Sequence, residues 1–471
     1  MRVLSVSSFT VLFTLIANPA LAQSISERYR EPADRIIQAA LADDGAYLKL
    51  QELCDGIGNR ISGSDNLDRA TRWAADTLRA DGADNVRLET VMVPKWVRGK
   101  ESCEMIEPRR QDLPMLGLGY SVGTPPAGIT APVVVVRDEK ELEALGTGAR
   151  GKIVLFNNVM PPYTEERGTS YGTAVRFRSN GARLAAAQGA VGCLIRSVTA
   201  HSLRTPHTGM MRYGDAVDRI PAAALTVEDA EMIARLQARG VPVKVTLKME
   251  AQDHGEVPSA NVIGELRGTT FPEEIVVIGG HIDSWDVGQG AQDDGGGCVT
   301  ALEALNLLRK LNLRPKRTIR VVLWTAEEVG LFGGKQYAVE HAAELARHVA
   351  AIESDIGSFI PHDYAIDCKD EDRMKVAAGQ LGEILKLCSS VAPLAIRTGS
   401  SAADVSPMKE AGVVVMGHES NPEHYFDYHH TPADTVAKVD PHELQQNVAV
   451  MAVTAYVIAD MPQRFGEKPK D

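Results

Sequence analysis

The run Ile275-Val276-Val277-Ile278-Gly279-Gly280-His281-Ile282-Asp283-Ser284 decides how this chain folds. Four β-branched residues, bounded by Pro272 upstream and a glycine pair downstream, suit a strand buried on both faces of a parallel sheet. His281 therefore stands at the carboxyl end of a strand. A second such run, Ile319-Arg320-Val321-Val322-Leu323-Trp324, stops shortly before Glu327-Glu328. A third, Val349-Ala350-Ala351-Ile352, stops shortly before Asp355. Between the first two, Val299, Leu302, Leu305 and Leu308 recur at helical spacing, with Glu303 and Arg309 off that stripe. This predicts a crossover helix over 295–310 that closes a right-handed βαβ unit. The expected class is α/β, a mostly parallel, doubly wound sheet. Open sheets of this kind bind ligands in the crevice outside their strands' carboxyl ends, so residues distant in sequence can converge there.

The residues at those ends are metal donors. Asp293 opens Asp293-Asp294-Gly295-Gly296-Gly297, and Tyr428-His429-His430-Thr431-Pro432-Ala433-Asp434 lies downstream in a polar, proline-marked stretch. Imidazole and carboxylate donors without thiolate favour zinc or a similar divalent ion, and a bridging carboxylate allows two ions about 3.5 to 4 Å apart. Such a pair acidifies a shared water, while a nearby carboxylate that is not a ligand takes the water's proton. Asp283, two residues beyond His281, is placed to accept a hydrogen bond from the ring nitrogen turned away from the metal. Taken alone, Glu327-Glu328 reads equally as the acidic first turn of a helix.

With these motifs in this order, the chain resembles the family M28 metallopeptidases, the co-catalytic zinc aminopeptidase group. Gly58-Asn59-Arg60-Ile61-Ser62-Gly63-Ser64 belongs to the likeness as well. The resemblance implies two zinc ions, with His281 and Asp355 on one, Glu328 and His430 on the other, Asp293 bridging both, and Glu327 as general base. It also implies a cis peptide after Asp293. In smaller members a tyrosine precedes the last ligand and polarises the substrate carbonyl; here His429 holds that place and Tyr428 is one further back. Both stand as oxyanion candidates. Ser400 and Ser401, in the loop 398–407, are further substrate candidates, against the plain alternative of a small-residue connection.

The implied activity is exopeptidase hydrolysis of short peptides, unblocked dipeptides first, with a general aminopeptidase on longer peptides as the alternative. Glutaminyl cyclases share the sheet and part of the metal pattern, and receptor-like relatives keep the fold without catalysis. An intact set of ligands that includes Asp293 counts against both. A homodimer is a further expectation of the likeness.

Residues 1–22 read as a secretory signal: Arg2, the apolar run Val11-Leu12-Phe13-Thr14-Leu15-Ile16, then Ala20-Leu21-Ala22. No cysteine follows to take a lipid, and no later stretch reaches the eighteen or so apolar residues that span a bilayer. The expected product is exported, periplasmic or secreted, with no membrane anchor.

The length predicts more than one domain. Residues 23–121 are expected to form the first part of a catalytic domain, with N-terminal helices that include one over 66–80. Residues 253–471 form its second part and carry every metal ligand. The stretch 122–252 differs, with short strands at 133–136, 152–156 and 191–195 and a helix at 181–188. Lys152-Ile153-Val154-Leu155 and Ala185-Ala186-Ala187-Gln188-Gly189-Ala190-Val191-Gly192 resemble a protease-associated domain, an α+β insert that would flank the site and control access. His201, His207, Met210 and Met211 lie in its longest polar loop.

Six cysteines, Cys54, Cys103, Cys193, Cys298, Cys368 and Cys388, permit disulfides in an exported chain, although Cys193 and Cys298 read as buried thiols. With 62 acidic against 50 basic side chains, a net charge of −12 and no basic cluster, nucleic acid is excluded as a partner.

Overall fold

The computed structural model describes residues 23–215 and 218–468. The expected signal segment, 1–22, lies outside them. Two eight-stranded sheets organise the chain. The first runs Asp84–Val97, Gln252–Leu266, Arg317–Trp324, Phe271–His281, His348–Glu353, Val414–Ser420, Pro361–Asp367 and Ala395–Thr398. Its four central strands, Arg317–Trp324 to Val414–Ser420, are mutually parallel. Antiparallel neighbours flank them, so the sheet is mixed with a parallel centre. The parallel centre is what brings several strand ends to one edge.

Arg317–Trp324 is buried along its whole length. Arg320 is tolerated there because its guanidinium is paired with Glu265 at 2.8 Å, Glu344 at 2.7 Å and the Tyr337 hydroxyl at 2.9 Å. On one face of the sheet lie the helices Gly296–Lys310, Pro441–Asp460, Arg30–Ala40 and Gly45–Gly56, packed in one apolar cluster. The opposite face is covered by Phe332–Glu340 and the turn Ser406–Ala411. Helices on both faces make the sheet doubly wound.

The crossover helix forms where the spacing predicts, and it is buried all round rather than along one stripe. Glu303, expected off the apolar stripe, is itself buried and held by Lys49, by Lys310 at 3.0 Å and by the Asn306 amide at 2.8 Å. Truncating a core leucine such as Leu302 to alanine costs about 2–5 kcal/mol.

The second sheet runs Gln111–Leu113, Glu101–Glu107, Lys244–Met249, Ile129–Val136, Ile153–Phe156, Gly192–Arg196, Ala222–Leu225 and Met115–Gly117. Three of its strands precede residue 122, so this sheet starts upstream of the expected boundary. Glu101–Glu107 buries only Cys103 and Met105. Such an alternating strand lacks the continuous apolar run that marks a strand buried on both faces. Asp84–Val97 is likewise a long strand where only helices are expected, and the helix expected at 181–188 begins earlier, spanning Arg176–Ala187. All six cysteines are buried and unpaired. Among the described residues no helix is long and apolar enough to cross a membrane.

Candidate metal centre

His281 ends its strand, Asp355 follows the neighbouring strand by two residues and Glu327-Glu328 follow Trp324. These ends share the parallel edge, and their side chains meet Asp293. His281 Nε2 lies 3.0 Å from Asp355 Oδ1 and 3.2 Å from Asp293 Oδ1. On the other side of Asp293, His430 Nε2 lies 3.3 Å from its Oδ2 and 3.0 Å from Glu328 Oε2. Asp293 thus stands between two histidine–carboxylate pairs.

The turn that presents Asp293 is built by residues around it. Asp434 accepts from the amides of Ala291, Gln292 and Asp293 at 3.1, 2.7 and 3.2 Å. Asp294, joined to Asp293 by a cis peptide, points the other way and accepts from the amides of His281 and Gly297 at 2.9 and 3.0 Å. A Cβ at Gly280 or Gly297 would come within 2.4 Å of the Asp294 carboxylate, so both positions need glycine.

Asp283 acts differently from the expectation. The nearest acceptor for His281 Nδ1 is the Asp283 backbone carbonyl at 3.1 Å, while its carboxylate is 3.6 Å away. That carboxylate instead accepts from the amides of Glu327 and Glu328 at 3.0 and 3.3 Å. The tautomer of His281 is still fixed, with Nδ1 carrying the proton and Nε2 facing Asp293 and Asp355. Glu328 Oε2 accepts from the Trp285 indole at 2.6 Å, and both Glu327 and Glu328 line the open cleft.

These residues fit a cation. Asp293 Oδ2 and Glu328 Oε1 are buried with no hydrogen-bond donor among the described residues, the His430 contact being an ion-pair distance without hydrogen-bond geometry. Burial, then the neighbouring carboxylates, push Glu327 well above the usual carboxylate range, and Asp355 is raised as well. Buried, crowded carboxylates and orphaned oxygens facing two imidazoles are what bound cations resolve. Donor atoms of His281, Asp293 and Asp355 lie within 4.8 Å of one another, as do those of Asp293, His429 and His430.

A cleft of about 550 Å³ opens over this cluster, lined by Asp293, Glu327, Glu328, Asp355, His429 and His430. Ala403 reaches it from the loop 398–407; Ser400 and Ser401 do not, Ser400 being exposed and Ser401 turning its hydroxyl to its neighbour's carbonyl. Tyr428 is also absent from the lining and lies under the Lys438 ammonium instead. In its place Tyr425 faces the cleft, pushed well above its usual range by burial and then by the Asp293 and Asp355 charges. His429 stacks on His430 with ring centroids 3.5 Å apart. Its ring is held neutral, first by burial and then by His430.

The far wall comes from the body of the second sheet, which supplies Tyr171, Arg178, Met210 and Arg212. Arg178 donates to the Tyr171 hydroxyl at 2.6 Å. From the loop singled out in the sequence, Met210 lines the cleft and His207 binds the His429 carbonyl. Met211 is core, and His201 is an exposed partner of Asp427.

Residues 261–455 match Peptidase family M28. Carboxypeptidase Q of Bos taurus is 41% identical over 92% of this chain and 90% of its own length. The chain belongs to peptidase family M28. It is a metallo-exopeptidase of the hydrolase class, as the M28 likeness implied. The crystal structure of a peptidase M28 precursor from Shewanella amazonensis superposes with a TM-score of 0.88 at 36% identity, covering 95% of this chain and all of that one. BSAP, a zinc aminopeptidase from Bacillus subtilis, shares the fold with a TM-score of 0.64 at 22% identity, over 88% and 95% of the two chains.

The M28 match contains every residue at the metal cluster, including Asp434 and Tyr425, which the sequence reading passes over. Tyr425 has a legible signal. It lies one helical turn before His429, whose amide donates to its carbonyl at 3.0 Å, so both side chains leave on one side. Arg178 and Tyr171 lie outside that match, in a stretch with no catalytic pattern, and no sequence signal marks them.

Proposed function

We propose that this M28 chain is an exported, binuclear zinc exopeptidase that cleaves unblocked dipeptides. The observation that carries the substrate class is Arg178. The residue is only 8% exposed and lines the same cleft as Glu327, and its guanidinium has no carboxylate within ion-pair distance among the described residues. A buried guanidinium without a counter-ion is costly, and its planar fork suits a carboxylate. The free terminal carboxylate of a short peptide supplies one, since only three backbone bonds, spanning about 3.7 Å, separate it from the scissile carbon of a dipeptide.

The donor set fits two ions: His281 and Asp355 would hold one, Glu328 and His430 the other, and Asp293 would serve both. Nitrogen and oxygen donors favour zinc, and the related BSAP is a zinc aminopeptidase. Bound there, the ions supply Lewis acidity toward the scissile carbonyl and acidify the attacking water. Glu327 takes the proton as the water oxygen bonds to the carbonyl carbon, then delivers it to the amine nitrogen as the carbon–nitrogen bond breaks. Asp283 holds Glu327 for this task through its backbone amide. Tyr425 faces the cleft as a hydroxyl donor for the carbonyl oxygen while negative charge builds there. Export rests on the signal pattern in residues 1–22.

Hydrolysis of a free dipeptide, its C-terminal amide, its N-acetyl form and its tripeptide extension by zinc-loaded protein tests the substrate class. The proposal expects the free dipeptide to be cleaved and the other three to lag by at least tenfold. Equal rates on the tripeptide make the chain a general aminopeptidase, and silence on all four removes the peptidase reading of this cleft.

A further inference from the structure

The segment that enters the metal cluster from the second sheet does more than cover it. Its residues 207–208 make three hydrogen bonds to residues 429–430. His207 Nδ1 donates to the His429 carbonyl at 2.8 Å. The Thr208 amide donates to the His430 carbonyl at 3.0 Å. The ring of His430 returns the contact, its Nδ1 lying 3.2 Å from the Thr208 carbonyl. Arg178 Nη1 also approaches that ring nitrogen, at 3.3 Å. The Thr208 carbonyl can only accept, and with Nε2 given to an ion Nδ1 would carry the ring's one proton, so Thr208 is its acceptor and Arg178 only a neighbour.

The same segment is rooted in the second sheet. The His207 amide donates to Ser197 Oγ at 2.9 Å, and that hydroxyl donates to the Leu225 carbonyl at 2.6 Å. Thr208 Oγ1 donates to the Gly117 carbonyl at 2.7 Å. Gly119 and Met211 add a backbone pair across the next residues. His430 itself has φ +62°, a left-handed conformation that a non-glycine residue keeps only where its surroundings over-determine it. The strap 207–208 supplies three of the contacts that do so.

We infer that His207 and the Thr208 backbone position His430 as a metal ligand, so docking of the second sheet and occupancy of the His430–Glu328 position stabilise each other. This rests on the metal reading of the cluster and is independent of the dipeptide reading. Its consequence is that the second sheet cannot swing aside as a free lid. Moving it away would release the His430 ring and backbone together. Linkage then requires that an ion at His430 hold the strap as strongly as the strap holds the ion.

The test follows zinc retained per chain against graded chelator, together with amide hydrogen exchange of residues 206–212 with and without zinc. His207→Ala is expected to release one zinc at a chelator concentration about 10- to 100-fold lower than the unmodified protein, with the other zinc unmoved. His207→Asn, which keeps an N–H donor, is expected to recover most of that loss. In the unmodified protein, where folding of a variant is not at issue, zinc is expected to slow exchange across 206–212 by at least tenfold. Unchanged release in His207→Ala with zinc-independent exchange overturns the inference and leaves the metal reading standing. A protein that retains no zinc under any condition overturns both.

Discussion

The backbone amide of Glu327 donates to the Asp283 carboxylate at 3.0 Å. Asp283 also accepts from the next amide, so it fixes the direction in which two adjacent glutamates leave the chain. Glu328 meets His430, and both line the cleft. Asp283→Ala is therefore expected to lower kcat by about 10- to 100-fold while zinc content and KM stay close to the starting values. Steady-state kinetics beside elemental analysis reads this split. A rise in KM alone would place Asp283 in substrate binding instead.

Arg178 should control the preference for a free carboxyl terminus. Arg178→Gln removes a charge-assisted contact worth about 1.5–3 kcal/mol, which raises KM for a free dipeptide by about 10- to 100-fold. The C-terminal amide, which cannot use the contact, should be nearly unaffected. Arg178→Lys is expected to recover little, because the ammonium lacks the planar fork. The ratio of kcat/KM for acid and amide is the quantity to follow.

Removing the ions should cost stability as well as activity. Asp293, Glu328 and Asp355 crowd one buried cluster with two of their oxygens lacking donors. Without cations only the His281 and His430 imidazoles offset their mutual repulsion. Ion at a thousandfold excess over its Kd stabilises the fold by about 4 kcal/mol. Differential scanning calorimetry in chelator against stepwise added zinc should show Tm rising with zinc concentration over several degrees.

Acid should destabilise the protein through histidines buried in the neutral form. Burial pushes His348 and His418 down to about 4, from an ordinary value of 6.5. A folded-state pKa below the unfolded one means that the unfolded chain binds the proton first. Stability is then full above pH 6.5 and drains as the pH falls toward 4. For one such group the loss between pH 7 and pH 5 is about 2 kcal/mol. His418→Gln, which can still meet Asn447, should flatten the pH dependence of chemical denaturation by about that amount.

The strand ends and the polar residues that stand at them are legible in the sequence for one physical reason. Strands buried on both faces read as unbroken apolar runs, and the polar residue that stops each run is there for chemistry or for a turn. His281, Glu327 and Asp355 stand out on that ground. Asp293 and His430 follow no such run; they read as metal donors by residue type, their roles are implied by the family likeness, and they lie at the same cluster. The half-polar strands Asp84–Val97 and Glu101–Glu107 were missed because alternation over charged residues resembles loop. The loss of Ser400, Ser401 and Tyr428 from the cleft has another cause. Sequence proximity to a ligand says nothing about side-chain direction, and the turn at 425–430 points Tyr425 inward and Tyr428 away. Arg178 needed the docking of the second sheet, a long-range contact with no local pattern.

The most direct test of the account is Glu327→Gln, with zinc per chain and single-turnover hydrolysis of a free dipeptide measured on the same preparation. Two zinc ions retained with a rate about 10²- to 10⁴-fold lower is the predicted result, since the amide keeps the shape and cannot take the proton. Undiminished turnover with both ions in place would contradict it and move the general base elsewhere.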